Sequence, residues 1–237
     1  MIRGDGLEME TEKVCVIAGA APIIEKDFLQ YYDNLVKEKK EFFLIAADGG
    51  YEFLCHNKMK PDLIVGDFDS LGAVPQGANV ITHPVMKDDT DMLLAIKEGL
   101  KRNCTFFAIF GGVGGRFDHT FANVQHLAYL KEHGARGILF GDTMHMTSLK
   151  EEGLCFDACF KGTVSVFALS DKAEGVCISR LKYELENACL TRYVPLGVSN
   201  EFIGECSKIQ VRQGQLLVMW EKNHGRMPVY TQDSDLE

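Results

Sequence analysis

Apolar and polar positions follow one repeated pattern through about the first 150 residues. Short apolar runs rich in β-branched and aromatic residues end in glycine or aspartate, and amphipathic, helix-like segments separate most of them. Six such runs lie at residues 14–22, 42–50, 62–70, 79–84, 105–112 and 137–142. Apolar strands that alternate with helices predict an α/β fold with an open, mainly parallel, Rossmann-like sheet. Ligands of such sheets bind beyond the carboxyl ends of the strands, where these glycines and aspartates fall.

The pattern changes after about residue 150. Short strands with partial alternation follow, separated by Gly, Asn and Asp, and no long helical period lies between them. These features predict a small all-β domain, a sandwich or a barrel, over residues 151–222, after an α/β domain over residues 1–150. Residues 223–237 are polar, and we expect a flexible tail there.

The composition narrows the class of partner. The 237 residues carry a formal net charge of −9, which argues against a protein that binds duplex nucleic acid through a basic face. An acidic protein that binds phosphate needs a cation or a local basic cluster. The eight cysteines include no Cys-x-x-Cys pair, so we expect reduced thiols rather than a zinc site.

The sequence also bears on location. Residues 1–11 are polar and acidic, unlike a signal peptide, and no apolar run approaches the ~20 residues of a membrane span. We therefore expect a cytoplasmic protein with no membrane partner.

The most specific acidic motif is PDLIVGDFDS, at residues 61–70. It places Asp67 and Asp69 at the end of an apolar run, and side chains at i and i+2 of an extended strand point to one side. Carboxylates on one side suit Mg²⁺, which takes one or two of them together with water and substrate phosphates. The alternative is ordinary turn chemistry, in which aspartates cap loops and helices.

A second acidic cluster begins a predicted helix. Asp88, Asp89 and Asp91 lie beside Lys87 at the start of an amphipathic segment. One aspartate or Thr90 would be an ordinary N-cap, but three aspartates within four positions exceed what capping needs. A Mg²⁺–phosphate site could use them, with Asp91 as a metal ligand and Lys87 as a phosphate contact.

A glycine-rich segment follows the fifth apolar run, with the sequence FGGVGGRFDHTFAN. Its four glycines, Gly115 among them, would let a ligand approach the backbone closely, and Arg116 could make forked contacts to phosphate. Asp118 begins the next helix, and His119 fits a helix start or a packing position better than a general base. The spacing matches neither the Walker P-loop nor the dinucleotide fingerprint. The alternative is a glycine-rich turn with a surface Arg–Asp pair.

A fourth motif, AADGG, places Asp48 and Gly49 at the end of the second apolar run. It is weak alone, but with the others it puts acidic or glycine-rich loops at the tips of at least three strands. No Ser-His-Asp or Cys-His arrangement can be recognised from spacing. The residues therefore indicate a Mg²⁺-dependent site for a nucleotide or polyphosphate, where aspartates hold metal and basic side chains offset phosphate charge.

These motifs together resemble the thiamin pyrophosphokinase family. The resemblance extends from about residue 14 to residue 220 and includes six segments in order. They are ADGG (47–50), PDLIVGDFDS (61–70), DDTD (88–91), GGRFDH (114–119), LKYELEN (181–187) and GVSNE (197–201). One departure is Arg180, where the family usually has glycine.

The resemblance implies a fold, an activity and a site. It implies an α/β catalytic domain, a β-sandwich domain, a homodimer, and Mg²⁺-dependent transfer of the pyrophosphoryl group of ATP to thiamin, giving thiamin diphosphate and AMP. The implied metal and catalytic residues are Asp67, Asp69 and Asp91, with Arg116 as a further catalytic residue. The implied nucleotide-binding residues are Asp48, Gly49, Lys87, Asp88, Thr90, Gly115, Arg116, Asp118 and His119. The implied thiamin-binding residues are Tyr183, Ser199 and Asn200, and core packing is the alternative for Tyr183.

Two other functions stay open at this point. The same site could serve a Mg²⁺-dependent pyrophosphokinase that acts on another hydroxymethyl heterocycle, such as a pterin. The chain could also be a nucleotide-binding or thiamin-binding module without catalytic activity.

Overall fold

A computed structural model describes residues 12–66, 80–82 and 89–232 of the chain. Its helices are α1 (Glu25–Lys37), α2 (Gly50–His56), α3 (Asp91–Lys101) and α4 (Phe117–Glu132). Its first six strands are β1 (Val14–Ala18), β2 (Phe42–Ala47), β3 (Leu63–Gly66), β4 (Val80–Thr82), β5 (Phe106–Phe110) and β6 (Arg136–Phe140). The later strands are β7 (Met144–Phe156), β8 (Thr163–Ala168), β9 (Lys172–Ser179), β10 (Leu185–Thr191), β11 (Gly197–Glu201), β12 (Ser207–Glu221) and β13 (Val229–Thr231).

The first six strands pair in parallel. β1 lies between β2 and β5, β3 and β4 extend the sheet beyond β2, and β6 extends it beyond β5. In this register Val14 of β1 pairs with both Phe42 and Phe106. The carboxyl ends of these strands therefore lie at one edge of the sheet, as the sequence predicts.

The later strands pair antiparallel and continue the same sheet. β7 pairs with β6 and, along most of its length, with β12. β8 and β9 also pair with β12, β11 pairs with β8, and β10 pairs with β9. All thirteen strands of the described residues thus belong to one mixed sheet. The α/β class is confirmed, whereas a mainly parallel character holds only for the run β1–β6 and not for the sheet as a whole.

Strand β7 runs through residue 150, where the sequence places a domain boundary. The charged residues Lys150–Glu152 interrupt the apolar pattern there. Glu152 is nevertheless buried inside the strand, because Lys131 and Arg136 both pair with its carboxylate, Arg136 Nη2 at 3.0 Å. The division into two domains stays a prediction, but β7 is continuous across it.

The core lies on both faces of the sheet. Residues of β1 alternate between two apolar clusters, with Val16 facing the cluster that includes Phe28 of α1. Ile17 faces the other cluster, which includes Ile96 of α3 and Leu127 of α4. Since both faces of β1 are covered, its unbroken apolar run has the composition expected for a strand buried on both sides.

A short strand lies in the segment expected to be a flexible tail. β13 pairs antiparallel with β7. Its Tyr230 hydroxyl lies 2.6 Å from Thr147 Oγ1, and the Arg136 guanidinium lies 4.6 Å from the Tyr230 ring centroid. These contacts give residues 229–231 an ordered position that their polar surroundings in the sequence do not indicate. No helix in the described parts of the chain is long and apolar enough to cross a membrane.

Candidate active site at the carboxyl ends of the parallel strands

A cleft of about 430 Å³ opens at the carboxyl edge of the parallel strands. It is bordered by the loops after β1, β2 and β5 and by the first turns of α3 and α4. Its lining residues are Gly19, Ala20, Ala21, Pro22, Ala47, Asp48, Asp89, Thr90, Asp91, Met92, Gly111, Gly112, Gly114, Gly115, Arg116, His119 and Asn123. The edge of the sheet predicted from the sequence is thus the edge that carries this cleft.

The loops after β1 and β5 are joined by backbone hydrogen bonds. The Gly19 N–H donates to the carbonyl of Phe110 at 2.8 Å, and the Ala21 N–H donates to the carbonyl of Gly111 at 3.0 Å. A Cβ added to Gly19 would lie 2.6 Å from the Gly111 carbonyl oxygen. The close approach of the two loops therefore requires glycine, and it leaves a backbone-lined floor in the cleft.

Asp48 reaches the cleft from a left-handed turn. Its φ is 51°, and its N–H donates to the carbonyl of Val65 at 2.8 Å. The predicted nucleotide residue Gly49 lies next to it as the N-cap of α2 and is not among the residues that line the cleft. A Cβ at Gly50 would lie 1.9 Å from the carbonyl oxygen of Ala18, so α2 can begin beside β1 only with glycine at this position.

The start of α3 carries the described part of the second acidic cluster. Thr90 is the N-cap, because its Oγ1 accepts a hydrogen bond from the Leu93 N–H at 3.2 Å. Asp91 follows in the first turn, where a negative charge suits the helix dipole. Asp89 pairs with Lys97, with Nζ and Oδ2 2.5 Å apart. The capping interpretation of Thr90 is confirmed, and its contact with a nucleotide stays a prediction.

Arg116 and Asp118 form an ion pair at the start of α4. Arg116 Nη2 and Nε donate to the two Asp118 carboxylate oxygens at 2.6 and 3.2 Å. This contact holds the pKa of the Asp118 carboxyl below its usual range. The side chains are 72% and 65% exposed, so water screens the pair and little free energy opposes its rearrangement. Arg116 and His119 line the cleft, whereas Asp118 does not.

Four predicted site residues lie outside the described residues: Asp67, Asp69, Lys87 and Asp88. Among the described residues no group of three His, Cys, Asp or Glu side chains is arranged to hold a metal ion. Asp48, Asp89 and Asp91 line the cleft, and Asp89 is paired with Lys97. A carboxylate such as that of Asp91 suits Mg²⁺, which completes its shell with water and phosphate oxygens. Its role as a metal ligand stays a prediction.

The cleft also contains residues that the sequence analysis did not assign to the site. The loop 19–22 is the end of the first apolar run and follows β1, so the carboxyl-end rule that identified Asp48 identifies this loop too. Met92 and Asn123 lie inside helices, where nothing in their sequence surroundings distinguishes them from packing residues. Asn123 is buried, and its Nδ2 donates to the carbonyl of Gly112 at 2.7 Å.

The predicted thiamin-binding residues lie together but outside this cleft. Asn200 is buried, and its side-chain amide makes two hydrogen bonds to the backbone of Tyr183. Its oxygen accepts from the Tyr183 N–H at 3.0 Å, and its nitrogen donates to the Tyr183 carbonyl at 2.6 Å. Ser199 is exposed, has a φ of 59°, and donates its N–H to Ser165 Oγ at 3.1 Å. The Tyr183 side chain is 60% exposed, so core packing does not account for it.

Comparison with protein-family models, curated proteins and solved structures shows which family this chain resembles. The model described as "Thiamin pyrophosphokinase, catalytic domain" matches residues 32–139, and that described as "Thiamin pyrophosphokinase, vitamin B1 binding domain" matches residues 147–216. Thiamine pyrophosphokinase from Bacillus subtilis is 24% identical over 218 residues, covering 86% of this chain and 96% of that protein. Thiamin pyrophosphokinase 1 from Caenorhabditis elegans is 23% identical over 208 residues, covering 82% of this chain and 84% of that protein. A crystal structure of the Bacillus subtilis protein superposes with a TM-score of 0.76 at 23% identity, covering 90% of this chain and all of that one. The chain belongs to the thiamin pyrophosphokinase family.

Proposed function

We propose that the protein transfers the pyrophosphoryl group of ATP to the hydroxyl of thiamin, giving thiamin diphosphate and AMP. The observation that carries the proposal is the cleft, which combines the carboxylates of Asp48 and Asp91, the guanidinium of Arg116 and a glycine-rich floor at one edge of the sheet. This edge is where open α/β sheets bind their ligands. Both halves of the chain match models of the thiamin pyrophosphokinase family.

The aspartates of the cleft would hold Mg²⁺ together with the phosphates of ATP. We propose Asp91, Asp67 and Asp69 as the metal ligands; of these, Asp67 and Asp69 lie outside the described residues. Asp48 would lie beside the nucleotide. Bound Mg²⁺ would neutralise the charge that develops on the phosphate oxygens. By holding that ion the carboxylates would orient the polyphosphate, so that the thiamin hydroxyl attacks the β-phosphorus in line with the bond to the leaving AMP and loses its proton.

Arg116 supplies positive charge to the same cleft. Because its ion pair with Asp118 is exposed, the guanidinium can exchange a carboxylate for a phosphate at small cost. A guanidinium offers two parallel donors to phosphate oxygens, and charge-assisted bonds of this kind are stronger than neutral ones. We propose that Arg116 binds the transferred group and stabilises its charge, while Asp118 keeps Arg116 in place before ATP arrives.

The glycine-rich loop provides room for the polyphosphate. Gly115 has a φ of 64°, and among the described residues no atom beyond its chain neighbours lies within 4 Å of where its Cβ would be. The described part of the chain therefore leaves this side of the loop open for a ligand. We propose four further nucleotide contacts: Lys87, Asp88, Thr90 and His119.

The acceptor site is completed, we propose, by a second copy of the chain. Tyr183 and Ser199 are exposed, lie outside the cleft and match the thiamin-side segments of the family. Large apolar side chains nearby in the sequence are also exposed, Tyr193 at 74% and Leu196 at 62%. A homodimer would cover these side chains and bring Tyr183, Ser199 and Asn200 of one copy to the cleft of the other. In this arrangement the run β1–β6 forms a Rossmann-like catalytic domain, and the later strands form a sandwich for thiamin binding and dimerisation.

The proposal is tested by the products of a single reaction mixture. Protein, Mg²⁺, ATP and thiamin are expected to give AMP and thiamin diphosphate, and a hydroxymethyl pterin in place of thiamin is expected to give neither AMP nor a pyrophosphorylated product. Formation of ADP, or of AMP with the pterin alone, would contradict the proposal. Asp91→Asn is expected to abolish turnover, and Asp33→Asn, an exposed aspartate on α1 outside the cleft, is the matched control.

A further inference from the structure

Two buried polar side chains of α4 stand behind the glycine-rich loop. Asn123 is 7% exposed and His126 is 8% exposed. The Asn123 amide nitrogen donates to the carbonyl of Gly112 at 2.7 Å, and Asn123 Oδ1 lies 3.2 Å from His126 Nδ1. These contacts form a chain from the interior of α4 to the loop that borders the cleft.

The hydrogen bonds fix the direction in which this chain donates. Because Asn123 Nδ2 is bonded to a carbonyl, which can only accept, Asn123 Oδ1 faces His126 as an acceptor. His126 Nδ1 must therefore carry a proton, and the neutral ring can supply it. Burial lowers the pKa of His126 to about 4, so the ring is neutral at pH 7 and adds no charge behind the loop. His126 thus orients the Asn123 amide, and Asn123 fixes the Gly112 carbonyl.

Backbone hydrogen bonds to the loop after β1 restrain this loop at Phe110 and Gly111, and side chains of α4 restrain it further along. Gly111, Gly114 and Gly115 all have positive φ values, between 64° and 97°, and glycine has more backbone freedom to lose than any other residue. The described side-chain hydrogen bonds to this loop come from Asn123 at Gly112 and from Thr120 at Gly114. A Cβ at Gly112 would lie 2.9 Å from Leu139, so the backbone at this point packs directly on the core.

We propose that Asn123 is a positioning residue for ATP, and that His126 acts through it. Asn123 holds the loop from Gly111 to Gly115 in the shape that receives the polyphosphate, and His126 keeps the amide in the orientation that this requires. The inference rests on the proposed function, since it assigns the loop to ATP. It adds two buried residues of α4 to the groups that determine ATP affinity.

The competing explanation is that these hydrogen bonds only stabilise the fold. The chain offers a matched control, because Ser148 is also buried and donates a hydrogen bond of 2.8 Å to a carbonyl of the same helix, that of Leu127. Ser148 is not among the residues that line the cleft. A variant that only loses stability lowers the fraction of folded enzyme, and hence the apparent kcat, but leaves the KM of each substrate unchanged.

The experiment measures steady-state kinetics of AMP formation for Asn123→Ala, His126→Ala, His126→Asn and Ser148→Ala, with melting temperatures of all four. Loss of a buried hydrogen bond corresponds to a factor of roughly ten, so Asn123→Ala is expected to raise the KM for ATP about tenfold. The KM for thiamin is expected to stay at the wild-type value. His126→Ala is expected to share the effect, whereas His126→Asn, which keeps an N–H donor near the position of Nδ1, is expected to restore most of the ATP affinity.

The double variant Asn123→Ala/His126→Ala gives a further check. Because His126 acts through Asn123, the double variant is expected to have the same KM for ATP as Asn123→Ala alone. A wild-type KM for ATP in folded Asn123→Ala would overturn the inference, as would equal kinetic effects of Asn123→Ala and Ser148→Ala. If Asn123→Ala does not fold, the KM for ATP of the His126 variants decides. A wild-type KM for ATP in His126→Ala would overturn the inference, and a raised KM that His126→Asn restores would support it. Absence of thiamin-dependent AMP formation in the wild type would instead contradict the proposed function.

Discussion

The contact between the loops after β1 and β5 predicts different effects for two similar substitutions. Gly111 has a φ of 66°, and a Cβ there would lie 2.4 Å from the carbonyl oxygen of Gly19 and 2.9 Å from that of Ala21. Gly115 has nearly the same φ, 64°, but no described atom beyond its chain neighbours lies within 4 Å of where its Cβ would be. Alanine at either position therefore adopts a left-handed backbone, and only at Gly111 does it also collide with another segment of the backbone.

The size of the difference follows from these two costs. A left-handed conformation costs an L-residue about 1 kcal/mol or somewhat more, and overpacking against a rigid neighbour adds about 2 kcal/mol. We expect Gly115→Ala to lower the free energy of unfolding by about 1 kcal/mol and Gly111→Ala to lower it by about 3 kcal/mol. The change in unfolded-state entropy is common to both variants and cancels in the comparison. For a chain of this length the melting temperatures should fall by roughly 3 and 9 °C.

Urea unfolding without nucleotide measures the difference directly. Trp220 is the only tryptophan in the sequence and is fully buried, so its fluorescence reports loss of the core in which β12 packs. Two variants with equal midpoints and equal slopes would show that the Gly19–Gly111 contact does not constrain the loop. A larger loss for Gly115→Ala would contradict the geometry outright.

Three further predictions concern separate parts of the molecule. Glu152→Gln should lower the free energy of unfolding in urea by about 3 kcal/mol, because Lys131 and Arg136 lose their buried partner, while AMP formation per folded molecule stays unchanged. Asp91→Asn should lower kcat in the AMP assay by orders of magnitude while the fold stays intact, and near-full activity would refute its role as a metal ligand. Burial lowers the pKa of His145 from 6.5 to about 4, so unfolded chains bind the proton first and stability falls as the pH falls through this range. At pH 5 the free energy of unfolding is lowered by about 2 kcal/mol in this way. Urea titrations of His145→Phe should not show this loss.

The sequence predicts the part of the fold that depends on local pattern. Apolar runs with glycine or aspartate at their ends become β1, β2, β3, β5 and β6, because strands buried on both faces must be apolar along their whole length. The carboxyl-end rule then brings Asp48, Asp91 and Arg116 to one cleft, although they are far apart in the chain. The cap at Thr90 follows from residue type and position alone.

The features that the pattern misses depend on partners distant in the sequence. Residues 208–213 (KIQVRQ) and 215–220 (QLLVMW) have the sequence pattern of two separate short strands. They form the single strand β12, because Gly214 takes a φ of 87° and lets the chain bulge without leaving the sheet. Glu152 looks like a strand end but is buried against Lys131 and Arg136. Asn123 acquires its place in the site only from the loop that α4 packs against. Apart from Gly214, none of these features leaves a local signal in the sequence.

The fate of the β-phosphorus tests the central claim most directly. Protein, Mg²⁺ and thiamin are incubated with ATP labelled at the β-phosphorus, and the products are separated. The account predicts that the label leaves ATP only when thiamin is present and appears in thiamin diphosphate, with unlabelled AMP formed in equal amount. Label in ADP, or label released from ATP without thiamin, would contradict it.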